Sequence, residues 1–505
     1  MRHTLSLLPD YLKPYGLAIR VWCLGLPNDP SICVGEIFLE FRHSEVAKES
    51  FTLIAIVVFF LNNPLRLPFS RFLYREIDKP ARFGAVSPLL PPRVRLVVTM
   101  PIFGSTVVGL FKAHFVIPNP RKRDSLLLMK QPVLVMFGGV SAEHEVSVVT
   151  GLQALEQVDR ARYEPIAVYV DKHGEIYCLP GLQDRYGFGS AKRVLASFGR
   201  DTEGGYLRLA GALGKTVRPY AALLVFHGGT GESGPVQGLL ETVGIPHTGS
   251  TVEGSAIAMN KKLTKEAVAG ACVPTLEDAR FFAADIRKDT EMCAKSAAEK
   301  VGLPAIVKPV HLGSSIGIAV AKTSVALQKA LMEAAHTDSE ILVEPFLEAI
   351  TEYNCAVRET STGLEASEVE KPVAHDDILS FADKYERGGK KQGAGMASLA
   401  RELPAKIPPE KMREIQEFAK QAFAAARLSG MARLDFMQDT SGTLYLTEIN
   451  PIPGSLAYYL WEASGIPFTT QISDSIEMAV TRAKEREVLT LDYKSDIIER
   501  FTRRQ

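Results

Sequence analysis

Residues 433–455 read RLDFMQDTSGTLYLTEINPIPGS, and this stretch decides the fold. Two apolar-alternating runs flank a turn around Ser441-Gly442, which predicts two adjacent antiparallel strands. Asp435 on one strand and Glu448 and Asn450 on the other can then converge on one face. Two carboxylates and an amide oxygen suit Mg²⁺ (or Mn²⁺), a hard ion that completes its shell with phosphate and water. The tripeptide Glu-x-Asn by itself is equally an ordinary strand end.

Upstream, Lys308 ends the apolar run AIVKP just before HLGSSIGI. A lysine beside a loop of Gly313, Ser314, Ser315 and Gly317 offers phosphate one positive charge and several closely approaching backbone N–H donors. The loop is not a P-loop, because G-x-x-x-x-G-K-[ST] is missing, and no credible GxGxxG dinucleotide site occurs. Glu344 closes ILVEP at an expected hinge, the position of a residue that holds a nucleotide base or ribose, and Glu352 lies just beyond; each is equally readable as a solvated strand end.

Further toward the N-terminus the run 133–137 meets Gly138-Gly139, and Ser141 stands where a helix N-cap belongs, ahead of AEHEVSVVTGLQAL. Strands are expected at 165–170 and 222–226, and a helix over 236–243. Alternating β and α elements imply an α/β fold with an open parallel sheet and ligands at the carboxyl ends of its strands. After Asn260 the sheet is expected to turn antiparallel, with helices over 262–270 and 286–301. The expected domains are 129–260 (parallel α/β), 261–344, 345–490 and a tail of 491–505.

The whole chain has 58 Lys/Arg and 58 Asp/Glu, which gives no reason to expect a nucleic-acid partner. Six scattered cysteines, with no C-x-x-C, fit free thiols in a reducing cytoplasm. Residues 1–128 read differently: 16 Lys/Arg stand against 9 Asp/Glu, and 13 of the 30 prolines lie there. Their apolar stretches 51–61 and 96–111 fall short of the roughly 18–20 residues a spanning helix needs. An over-extended reading frame is expected for 1–128, with a membrane-associated or otherwise functional extension as the alternative. No membrane association is expected for 129–505.

Residues 129–482 resemble the D-alanine–D-alanine ligase family of the ATP-grasp superfamily. The resemblance rests on GGVSAEHEVSVVTG, FHGGTGESGPVQGLLETVGIPHTGS, MNKKLTKE, IVKPVHLGSSIGI, VEPFLEAITEYNCAV, EVEKP, DKYERG, GMASLARELPA, ARLDF and EINPIPG, in the family's order and at similar spacings. It implies two ATP-grasp subdomains that sandwich ATP, and synthesis of D-alanyl-D-alanine for peptidoglycan by a cytoplasmic homodimer. It further implies that Lys261, Lys308 and Lys384 contact the ATP phosphates, that Glu344, Phe346, Leu347 and Glu352 line adenine and ribose, and that Asp435, Glu448 and Asn450 hold Mg²⁺. Glu145 matches the acid that pairs with the ammonium of the first D-alanine, linked to Ser314 and Tyr385, and His227 matches a substrate contact. Arg433 and the Gly454 N–H match the oxyanion donors of the tetrahedral intermediate.

Three departures from the family pattern stand out. Leu312 replaces a polar or acidic residue, and Pro345 one that is often basic. The run GSLAYYLW (454–461) stands where many members have a Ser/Thr-rich stretch that helps hold the second substrate's carboxylate. Tyr385 favours dipeptide over depsipeptide synthesis, and His144 is expected on a helix surface. The competing expectations are a ligase for another amino-acid pair, such as D-alanine with D-serine, and a non-catalytic nucleotide-binding or membrane-tethered protein.

Overall fold

A computed structural model describes the backbone of residues 18–26, 29–41, 51–60, 94–102 and 105–113, and residues 130–211, 214–313, 316–373, 401–488 and 495–502 in fuller detail. The chain forms two units, Met1–Pro118 and Asn119–Gln505. In the first unit Ala18–Leu26, Asp29–Phe41 and Phe51–Phe60 pair as an antiparallel sheet, and Val94–Ile102 pairs with Ser105–Ala113. Residues 51–60, 96–102 and 105–111 of the two apolar stretches therefore lie in strands. Among the described residues no helix is long and apolar enough to cross a membrane.

The second unit opens on a seven-stranded sheet. Its parallel part is three strands, Ala221–Leu224, Gln131–Gly138 and Tyr163–Val170. Ile176–Cys178, Val194–Asp201, Gly204–Leu209 and Thr216–Val217 then extend it antiparallel. Val133, Leu134, Val135 and Phe137 are fully buried, as strands covered on both faces should be. The helix after the first strand spans His144–Gln157 with Glu143 as its N-cap residue. Ser141 is thus not the cap; its hydroxyl accepts the Glu143 N–H at 3.0 Å inside the preceding turn.

A four-stranded antiparallel sheet follows, in the order Ala279–Phe282, Glu340–Pro345, Ala305–Pro309, Ala319–Ala321. Helices Thr290–Val301 and Ser324–Ala334 cover it through a core of its own, with Ala294, Ala297, Leu327 and Leu331 all fully buried. The helix expected over 286–301 is two, because Asp289 ends Ala283–Lys288 and caps the next by accepting the Met292 N–H at 2.9 Å.

The last sheet has five antiparallel strands, ordered Arg401–Glu402, Gly363–Pro372, Thr351–Thr360, Met431–Gln438, Leu444–Asn450. Helix Pro409–Ala425 buries Ile415, Ala419 and Phe423 in its core. Helix Phe468–Glu487 turns back onto the N-terminal sheet and shares its core through Ile472, Ile476 and Val480. Its Glu477 accepts hydrogen bonds from Tyr163 (2.6 Å), Tyr220 (2.8 Å) and Arg162 (2.8 Å).

Candidate active site

The hairpin forms as its sequence implies. Asp435 and Glu448 are direct register partners, as are Arg433 and Asn450, so all four side chains leave one face. A bulge follows Asp435, whose carbonyl accepts the Thr447 hydroxyl at 2.8 Å. Arg433 is buried and donates from Nε and Nη2 to the two Asp435 oxygens at 2.7 and 2.6 Å. Burial opposes its charge, but Asp435 prevails and raises the guanidinium pKa well above the ordinary value. Asn450 Nδ2 donates to Asp435 Oδ2 at 3.0 Å. Among the described residues no group of three or more His, Cys, Asp and Glu could hold a metal ion. A set of two carboxylates and one amide oxygen fits Mg²⁺, whose remaining ligands come from phosphate and water.

Lys308 is the penultimate residue of the strand Ala305–Pro309 and donates to Glu344 Oε2 at 2.6 Å, while Lys265 donates to Oε1 at 2.5 Å. Glu344 is therefore not a solvated strand end: it is 6% exposed and both oxygens hold lysines. Burial alone would raise its carboxyl, yet Lys308 and Lys265 bring the pKa below the ordinary value. Its side chain orients Lys308 and Lys265, one on each carboxylate oxygen. Lys261 opens the helix Lys261–Ala269 and donates to the Leu312 carbonyl at 2.5 Å, tying it to the loop of Gly313. Burial and the neighbouring Lys308 push its pKa down. Phe346 and Leu347 are half-buried in the connection to strand Thr351–Thr360, which carries Glu352 opposite Met437. Ser314, Ser315, Lys384 and Tyr385 lie outside the described residues.

The acid of the SAEHEVS segment that faces the site is Glu143. A Cβ built on Gly228 would lie 2.9 Å from Glu143 Oε2, and one on Gly313 would lie 3.2 Å from it. Glu143 thus stands between the glycine turn of the parallel sheet and the loop at Gly313. Glu145, two residues on, is already in the helix; its side chain is 70% exposed and ion-paired with Lys172, which lowers its pKa. The expectation for Glu145 moves to Glu143. His144 is also corrected: it is 4% exposed, with Nδ1 bonded to the Gly139 carbonyl at 2.7 Å and Nε2 to the Tyr169 hydroxyl at 3.1 Å.

His227 follows the strand Ala221–Leu224 and is 4% exposed. Its Nε2 lies 2.8 Å from the Thr150 hydroxyl, and the Ile452 backbone hydrogen-bonds the ring. Burial is the main cause that lowers its pKa to about 4, so the ring is neutral near pH 7 with both nitrogens engaged within the protein. Nearby Glu232 is buried and accepts the N–H of Gly228 at 2.7 Å and of Ile452 at 3.1 Å. Burial and the neighbouring Glu143 raise its pKa to about 8. Sequence reasoning missed Glu143, Thr150 and Glu232. Only Glu143 had a signal, its place before the first helical turn.

The family described as D-ala D-ala ligase N-terminus matches residues 132–250, and that described as D-ala D-ala ligase C-terminus matches 268–477. The chain is 32% identical over 367 residues to a D-alanine–D-alanine ligase of Thermosipho melanesiensis, covering 71% of this chain and 96% of the relative. It is 34% identical over 365 residues to one of Thermoanaerobacter sp. strain X514, covering 71% and 98%. A solved D-alanine–D-alanine ligase from Coxiella burnetii superposes with a TM-score of 0.60 at 26% identity, covering 71% of this chain and 96% of that one.

Proposed function

The chain belongs to the D-alanine–D-alanine ligase family, and on that premise we propose that it joins two D-alanines to D-alanyl-D-alanine with ATP, as a supplier of peptidoglycan precursor. The observation that carries this reading is the array Arg433, Asp435, Glu448 and Asn450 on one hairpin face, together with Lys308 and Lys261 at the phosphate loop. The chemistry needs such a set. A carboxylate oxygen of the first D-alanine attacks the γ-phosphorus and ADP leaves, giving an acyl phosphate. The amine of the second attacks the carbonyl carbon, the C–N bond forms, the bond to phosphate breaks, and a proton leaves the nitrogen. Lys261 and Lys308 stabilise the charge that gathers during phosphoryl transfer.

Glu143 pairs with the first ammonium, and Arg433 with the Gly454 N–H stabilises the tetrahedral oxyanion. When bound at Asp435, Glu448 and Asn450, Mg²⁺ neutralises phosphate charge. His227 contributes by shaping the turn at Ile452, since its ring nitrogens are already engaged. The reading carries with it a cytoplasmic location, where ATP is available, and a homodimer, which sedimentation of the full chain tests.

A second reading keeps the machinery and changes the acceptor. The buried Tyr459 ring packs under Arg401, whose guanidinium carbon lies 4.0 Å from the ring centroid, in the segment where many family members are Ser/Thr-rich. ADP release with ATP and Mg²⁺ separates the two, with D-alanine alone, D-alanine plus D-serine, D-alanine plus D-lactate, and L-alanine offered in parallel. Turnover on D-alanine alone supports dipeptide synthesis; turnover only with a mixed pair replaces the acceptor; none sinks both.

A further inference from the structure

After Asn450 the chain makes a turn that L-residues rarely adopt. Ser455, Leu456 and Ala457 have φ values of 51°, 51° and 48°, three consecutive non-glycine residues in the left-handed region. Each such residue is costly, so the turn persists only where its surroundings over-determine it. The surroundings are specific. Glu232 accepts the Ile452 N–H at 3.1 Å, Thr150 Oγ1 accepts the Ser455 N–H at 3.1 Å, and Gln471 Nε2 donates to the Leu456 carbonyl at 2.7 Å. Glu232, Thr150, Ser455 and Gln471 are all buried.

Two of these anchors belong to the N-terminal sheet domain, and they flank Gly454 on either side. The same Thr150 hydroxyl that accepts the Ser455 N–H is hydrogen-bonded to His227 Nε2, 2.8 Å away. The second Glu232 oxygen accepts the Gly228 N–H, the residue after His227. The glycine turn of one sheet and the strained turn after the hairpin of another are therefore fixed as one piece.

We infer that Glu232 and Thr150 are positioning residues that hold the Gly454 N–H in place for the second chemical step, the attack of the amine on the acyl phosphate. The inference rests on the ligase reading above. Backbone donors stabilise an oxyanion only when pre-aimed at it, and a shift of about 1 Å is enough to lose most of the effect. Phosphoryl transfer creates no tetrahedral carbon and does not need this donor. The two steps should therefore come apart when the anchors are cut.

The test uses the full 505-residue chain and measures dipeptide formed per ADP released. Glu232→Gln swaps one acceptor oxygen for an amide nitrogen with no lone pair to offer; Thr150→Val removes the hydroxyl at nearly constant shape; Thr150→Ser restores it. Expected are a fall of about tenfold or more in the dipeptide-to-ADP ratio for Glu232→Gln and Thr150→Val, KM for ATP within about twofold, and recovery in Thr150→Ser. Acyl phosphate that is not captured hydrolyses, so ADP release continues. A parallel fall of dipeptide and ADP, or an unchanged ratio, overturns the inference. A wild-type chain that releases no ADP with D-alanine overturns the ligase reading itself.

Discussion

The Arg433 guanidinium grips both oxygens of Asp435 from two positions away on the same strand, at 2.7 and 2.6 Å. The fork fixes the arginine's plane and keeps it charged despite its burial. Arg433→Lys keeps a charge but cannot reproduce the fork. We predict that Arg433→Lys and Arg433→Ala each lower the rate of D-alanyl-D-alanine formation by about 10²–10³. Rates within tenfold of wild type would remove Arg433 from the chemistry.

The two acids at 143 and 145 make a sharper contrast. Glu143→Gln is predicted to raise the KM for the first D-alanine by about tenfold, the loss of one charge-assisted contact. Glu145→Gln breaks only the exposed pair with Lys172 and should leave all constants unchanged, because such pairs contribute little. Steady-state titration of D-alanine decides, and the reverse ranking would restore Glu145.

Removing the charge at Glu344 leaves Lys265 and Lys308 buried around a neutral group. Glu344→Gln is predicted to cost about 3–5 kcal/mol of stability, read by denaturant unfolding. The KM for ATP should rise as well, since Lys308 loses the carboxylate that aims it. A variant as stable as wild type would show that the lysines do not depend on Glu344.

The pH dependence of stability has two opposed parts. Glu232, raised from 4.5 to about 8, contributes stability that is fully present below pH 4.5 and is lost as pH rises to about 8. His227, lowered from 6.5 to about 4, contributes stability present above pH 6.5 and lost as pH falls to about 4. Each slope is about 1.4 kcal/mol per pH unit, and between pH 6.5 and 4.5 they cancel. His227→Gln should unmask the Glu232 slope there, so that its stability relative to wild type gains about 3 kcal/mol on acidification across that window. Parallel profiles for the two proteins would contradict the pair.

The hairpin was legible because strand periodicity and a turn signal determine register, and register alone brings Arg433, Asp435, Glu448 and Asn450 to one face. The choice between Glu143 and Glu145 was not. It depends on the first residue of a helix, and Ser141 offered a plausible but wrong start. The solvated reading of Glu344 and the surface reading of His144 failed for another reason. Each looks like a surface polar residue until distant partners arrive, Lys265 and Lys308 for one and Tyr169 for the other, and no local pattern announces contacts made across the fold. The left-handed turn at 455–457 is invisible in the same way: nothing in SLA asks for positive φ, and the anchors that enforce it lie hundreds of residues away or on another helix.

Helix Phe468–Glu487 closes its hydrophobic face against the first sheet of the same unit, with Glu477 as a three-donor latch, whereas the four-stranded sheet around Lys308 keeps a core to itself. The segment that follows the hairpin and the first sheet are thus parts of one core, so a cavity opened at Ile476 would loosen both chain segments that meet at the site, whereas one opened at Leu331 would be confined to the lysine-bearing sheet.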